Sequence, residues 1–173
     1  FQGDFKWSLT QLDVLKRATT QLISNDALFL SLRIVDNLMD DTTHVSLKDF
    51  ARADLLELQG KTDEAIQQLE EVLVVHKGFS IIDDAHFRLG ELYYNKGNYE
   101  QAEMHWKLVT EEYGYDLLAD AAYYHLGLLY QEKLDKNEEA MACFEKIIFD
   151  FSDSIYYVDA RKRFRNLRGD FKT

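Results

Sequence analysis

The chain has 173 residues, 46% of them hydrophobic, with no proline, eight glycines and a net charge of −11. That apolar share supports a folded core, and the lack of proline, which breaks helix interiors, points to nearly continuous helix. The acidic balance argues against nucleic acid or an anionic membrane as the main partner, and no apolar run nears the roughly 20 residues of a membrane span, so direct membrane insertion is not expected. Cys143 is the only cysteine, which excludes an intrachain disulfide and a cysteine metal cluster. Within Ala142-Cys143-Phe144 it reads as a small packing residue.

At the N-terminal end, Gly3, Phe5, Ser8, Leu12 and Leu15 carry the same spacing as Gly97, Tyr99, Ala102, Trp106 and Val109. The chain is therefore expected to open on the second helix of a helix pair. Phe5, Trp7 or their neighbours should expose apolar surface there, leaving self-association through this end as an expectation. With no initiating Met and no signal peptide, the chain is expected to be the C-terminal part of a longer protein. A distorted or extra helix is expected over about 26–40. Asp40-Asp41-Thr42-Thr43-His44 reads as a solvated acidic turn; a weak calcium or magnesium site there would lack EF-hand spacing. Ser46-Leu47-Lys48-Asp49 reads as a capping box that starts the next helix.

From residue 46 the chain repeats. Ala53, Gly90 and Gly127 recur with a period of 37 residues, each followed three residues later by Leu56, Tyr93 or Tyr130. A small residue at mid-helix marks a close approach of two helices. The periodicity breaks near Gly60, Gly97 and Asp135, which predicts turns; the third turn has one extra residue. Ala65, Ala102 and Ala140 follow, then Leu69 and Val72, Trp106 and Val109, Phe144 and Ile147, one apolar stripe at helical spacing. A helix, a short turn and a second helix with facing stripes make an antiparallel hairpin, and hairpins must stack to bury both faces. Ala160, Phe164 and Leu167 form one last stripe, expected on a capping helix over 159–169. Residues 161–173 hold six cations and one anion, a net +5, so the rest carries −16. These cations either complement the dipole of their own helix or form a basic docking strip at Arg161, Lys162, Arg165 and Arg168.

No spacing suggests catalysis. There is no glycine-rich phosphate loop and no nucleophile elbow, so no catalytic residue, cofactor or metal is expected. His44, His76, His86, His105 and His125 form no i, i+3 or i, i+4 pair, which disfavours a helix-borne zinc site. His86, His105 and His125 are expected to be packing or surface residues. Asp63-Glu64 and Glu138-Glu139 open second helices, where carboxylates favour the positive dipole end.

Leu89-Gly90-Tyr93-Ala102-Trp106 and Leu126-Gly127-Tyr130-Ala140-Phe144 resemble the tetratricopeptide repeat, with Arg52-Ala53-Leu56-Ala65-Leu69 a weaker copy. The family's early Trp is replaced by His86 and Tyr123, and its closing proline is missing. The resemblance implies an all-α, right-handed α-solenoid of antiparallel helix hairpins with about nine helices. Its expected plan is an atypical N-terminal repeat over 1–45, repeats over 46–82, 83–119 and 120–158, and the cap. The long inter-repeat loops, such as Phe151-Ser152-Asp153-Ser154, resemble those of bacterial cell-envelope members of the family, including outer-membrane assembly lipoproteins. That would favour a periplasmic or cell-envelope location over a cytoplasmic one.

The resemblance further implies a non-enzymatic scaffold that binds a protein or peptide on the concave face lined by first helices. The matching positions are Phe50, Phe87 and Tyr124, then Asp54, Glu91 and Leu128, then Glu57, Tyr94 and Gln131, with Asn95 and Glu132 beside them. The aromatics could equally be inter-repeat core. Family members that clamp acidic chaperone tails place Lys, Arg and Asn at such positions. Here they are largely acidic or aromatic, which implies a basic or aromatic ligand. The alternatives are a purely structural end segment of a longer solenoid and an accessory or regulatory domain of a multi-domain protein.

Overall fold

The computed structural model describes residues 4–17, 20–39, 43–114 and 116–170. The expectations that involve Gly3, the acidic residues Asp40 and Asp41, Thr42, Tyr115 and Lys172 lie outside the described residues. Among those described, nine α-helices occur and no strand: α1 Phe5–Leu15, α2 Gln21–Asn37, α3 Val45–Leu58, α4 Thr62–Val75, α5 Ile81–Asn95, α6 Tyr99–Glu112, α7 Ala119–Glu132, α8 Asn137–Asp150 and α9 Tyr157–Arg168. The protein is all-α and built of helix hairpins, as an α-solenoid is. No described helix is long and apolar enough to cross a membrane.

The turns fall where the periodicity breaks. Gly60 and Gly97 sit at φ 75° and 77°, the left-handed region that glycine enters without penalty. The third turn places Asp135 there instead, at φ 53°, and Asp is among the few side chains that tolerate it. The extra residue of that turn is taken up in the link between α7 and α8, so both helices keep their phase.

The chain divides into two compact units, with the division inside α5 after Ala85. In the first unit α1 packs on α2 and α3 on α4. Its interior contains Phe50, Leu69 and Val72 and a buried polar network. Asp84 accepts from Arg33 Nε at 2.6 Å and from Asn37 Nδ2 at 2.8 Å. Ser80 Oγ donates to Asn37 Oδ1 at 2.9 Å, and the Arg33 guanidinium lies 5.4 Å from the Phe50 ring centroid. His76 and Asp49 meet at 2.8 Å, which ties the end of α4 to α3.

The capping box is not formed. His44, at φ 56°, is the residue before α3, while Ser46 lies inside the helix and is buried. Asp49 turns to His76 instead of back to the helix start. The helix expected over 26–40 is α2, which runs without a break from Gln21 to Asn37. Trp7 is 63% exposed, and Leu28, Leu32, Val35 and Met39 form an exposed apolar stripe along α2 and the turn after it; Phe5 is half-buried.

In the second unit α7 packs on α6 and α8, and α9 packs on α8. The small residues act as their spacing suggests. A Cβ on Gly90 would collide with the Trp106 indole, and one on Gly127 would lie 2.5 Å from Phe144 Cε1. Trp106 and Phe144 thus rest directly on the backbones of α5 and α7, and Trp106 Nε1 donates to the Phe87 carbonyl at 3.2 Å. Glu103 of α6 accepts from Tyr130 of α7 at 3.0 Å, from Lys107 at 2.7 Å and from Lys136 at 3.3 Å. Burial works against the charged form of Glu103, but these three donors outweigh it and hold its carboxyl below the usual range.

Candidate functional site: the first-helix face

Residues three and four apart share a helix face. Glu91, Tyr94 and Asn95 are so spaced on the last turns of α5, and His125 and Leu128 are so spaced on α7. In the second unit the two faces meet over Trp106 and enclose an open cavity of about 200 Å³ lined by these six residues. Its floor is aromatic. Trp106 stacks on His125 with centroids 5.1 Å apart and lies 5.7 Å from the Tyr94 ring. Phe87 meets His125 edge-on at 5.5 Å.

The polar atoms stand at the rim. Glu91 Oε2 accepts from Arg88 Nη1 at 2.7 Å, which leaves its other oxygen and further lone pairs. Asn95 is exposed. Lys133 Nζ sits 5.8 Å from the Tyr94 centroid, within cation–π range. Burial lowers the pKa of His125 and Glu91 only partly opposes this, so the imidazole brings no positive charge to the cavity at neutral pH.

The sequence-predicted residues divide sharply. Phe50 is 2% exposed and Phe87 7%, so both pack inside and offer little surface to a ligand. Asp54 and Glu57 are half-buried on α3 of the first unit. The structure brings Glu91, Tyr94 and Asn95 together at the cavity. Tyr124 is half-buried, stacks on Tyr156 at 4.4 Å and donates to Asp159 Oδ2 at 2.7 Å. Burial and that hydrogen bond push its phenol up to about 12.

Gln131 and Glu132 already hold a cation. Arg163 Nη1 donates to Gln131 Oε1 at 2.7 Å and to Glu132 Oε1 at 2.9 Å, and its Nε donates to Asp159 Oδ2 at 2.6 Å. Of the basic strip, Arg165 and Arg168 both turn onto Asp170, at 3.4 Å and 2.5 Å. Arg161 and Lys162 are exposed.

Sequence reasoning placed Leu128 on this face but missed Trp106 and His125 as cavity walls. In the sequence Trp106 falls within the apolar stripe, and His125 reads as a packing or surface residue. It also missed a histidine pair. His86 Nδ1 and His105 Nδ1 lie 2.9 Å apart across α5 and α6, and the Tyr93 ring stacks on His105 at 5.6 Å. Burial lowers both pKa values, that of His105 to about 4 with a further contribution from His86. The two rings are 19 residues apart in sequence, so no i, i+4 search could find them. Cys143 is buried, and burial pushes its thiol up to about 12, which makes it a poor nucleophile. Among the described residues no group of three or more His, Cys, Asp or Glu side chains is placed to hold a metal ion.

Two family models, both described as tetratricopeptide repeat, match the chain at residues 84–114 and 120–148. No curated protein matches it.

Proposed function

We propose, from the premise that this chain is a tetratricopeptide-repeat protein, that it is a non-enzymatic interaction scaffold that holds a protein segment against the first-helix face of its second unit. Tetratricopeptide repeats generally mediate protein–protein interaction, which supplies the class of function. The observation that supports the place is the cavity at Glu91, Tyr94, Asn95, Trp106, His125 and Leu128. It has an apolar aromatic floor and a few polar atoms at the rim, the usual composition of a recognition pocket. At about 200 Å³ it is smaller than a drug-sized pocket and suits one anchoring side chain of a longer segment. The cavity walls come from two neighbouring first helices, α5 and α7, which suits an extended or helical peptide lying across them.

The experiment selects binders from a random-peptide display library on the intact chain and measures them by calorimetry against wild type and Glu91→Lys/Tyr94→Ala. The expected result is a loss of at least about tenfold in affinity, about 1.4 kcal/mol. Peptides that bind the double variant as tightly as wild type would place the site elsewhere.

A further inference from the structure

Within the second unit, α7 and α9 occupy corresponding positions. Ala122 of α7 and Ala160 of α9 are both fully buried near their helix starts. Three residues after each stand His125 and Arg163, on the same helix face. Arg163 reaches back to Gln131 and Glu132 at the end of α7. By the 37-residue period, these match Tyr94 and Asn95 at the end of α5. His125 therefore stands before Tyr94 and Asn95 as Arg163 stands before Gln131 and Glu132. An imidazole is shorter than an arginine side chain, and this one stacks on Trp106. The space a guanidinium fills one repeat later is here the open cavity.

We infer that the cavity is an arginine pocket: a partner's guanidinium enters between Tyr94 and His125 and completes the row that Arg163 completes within the chain. This rests on the first-helix face being the docking surface proposed above. The acceptors are the Glu91 carboxylate and the Asn95 amide oxygen, and the flat faces of Tyr94 and Trp106 suit a planar cation. Two cations of the chain's own show that the face takes positive charge: Arg163 on Gln131 and Glu132, and Lys133 over Tyr94. Arg88 holds one oxygen of Glu91, and Lys133 is exposed and can swing away. The incoming group thus shares the Glu91 carboxylate with Arg88 and displaces the Lys133 ammonium from the Tyr94 ring.

The test is a titration of the intact ¹⁵N-labelled chain with N-acetyl-arginine amide, with the lysine and citrulline amides as parallel arms. The arginine compound should give saturable shifts at the Trp106 indole and the Asn95 side-chain amide, at least threefold tighter than lysine. Citrulline, equal in shape but uncharged, should give none. His125→Arg supplies the missing guanidinium internally and should abolish the arginine response. Asn95→Asp, at an exposed position that cannot disturb the core, should tighten arginine binding at least twofold and leave citrulline silent. Equal shifts from citrulline, or no tightening in Asn95→Asp, would overturn the assignment. If arginine fails while the selected peptides still lose affinity on Glu91→Lys/Tyr94→Ala, the docking face stands and only the arginine pocket falls. If the peptides are insensitive too, both fall.

Discussion

His86 and His105 form a hydrogen bond in which one ring must donate and the other accept. Only the accepting ring must be neutral for that bond, and it is burial that favours the neutral form of both. In an unfolded chain each would take a proton near pH 6.5. Above that value neither state is charged and the pair costs nothing. As pH falls from about 6.5 towards about 4, the unfolded chain gains protons that the folded pair refuses, so stability declines and then levels off. His105 alone contributes up to about 3 kcal/mol across this window. Urea midpoints at about pH 7.5 and pH 5 should thus differ more for wild type than for His105→Gln. Equal differences in the two proteins would show that the pair does not titrate in the unfolded chain as described.

At the scale of single helices, the period of small residues was the most informative signal. Gly90 and Gly127 could be read as close-approach points because a tryptophan or phenylalanine recurs at one fixed place in the following helix, where a Cβ would collide with it. Glu91, Tyr94 and Asn95 were legible for the same reason. The network at Asp84 was not. Asn37 and Asp84 are 47 residues apart, and Asn37 lies ahead of the repeats, so no period pairs them. Phe50 read equally as surface or core, because an aromatic at a fixed repeat position fits both; the Arg33 guanidinium over its ring helps decide for core. Nor did Ser46 betray that the helix starts ahead of it.

That network fixes α2 and carries its own expectation. Burial pushes the pKa of Asp84 up, and Arg33 and Asn37 only partly counter this. Arg33→Met strips the buried carboxyl of its cation and should cost about 3 kcal/mol in urea unfolding. Arg33→Met with Asp84→Asn should recover most of it, because the charge is gone from both sides. A double variant no more stable than the single one would mean that packing of the Arg33 stem, not charge, holds α2.

Over the whole molecule, charge is sorted along the chain, with a basic C-terminal helix on an acidic remainder. Part of that contrast is consumed internally. Arg163 ties α9 to Gln131 and Glu132 at the end of α7 and pairs with Asp159 of its own helix, and burial, which opposes its charge, is outweighed by Asp159 and Glu132. Glu132 and Asp159 are each about half exposed, so every contact is worth well under the figure for a buried pair. Arg163→Glu replaces attraction by repulsion and should cost about 1–2 kcal/mol at low salt. Hydrogen exchange in α9 should quicken, and about 0.5 M salt should restore much of the protection. Unchanged exchange in α9 would show that its packing on α8 suffices.

The extra residue beside Asp135 has a practical meaning. Two adjoining repeats of different length keep the same interlocking helices, so the link between α7 and α8 works as a seam rather than a joint. A short tag spliced beside Asp135 would fall in this seam, provided Lys133 and Lys136 keep their places over Tyr94 and beside Glu103.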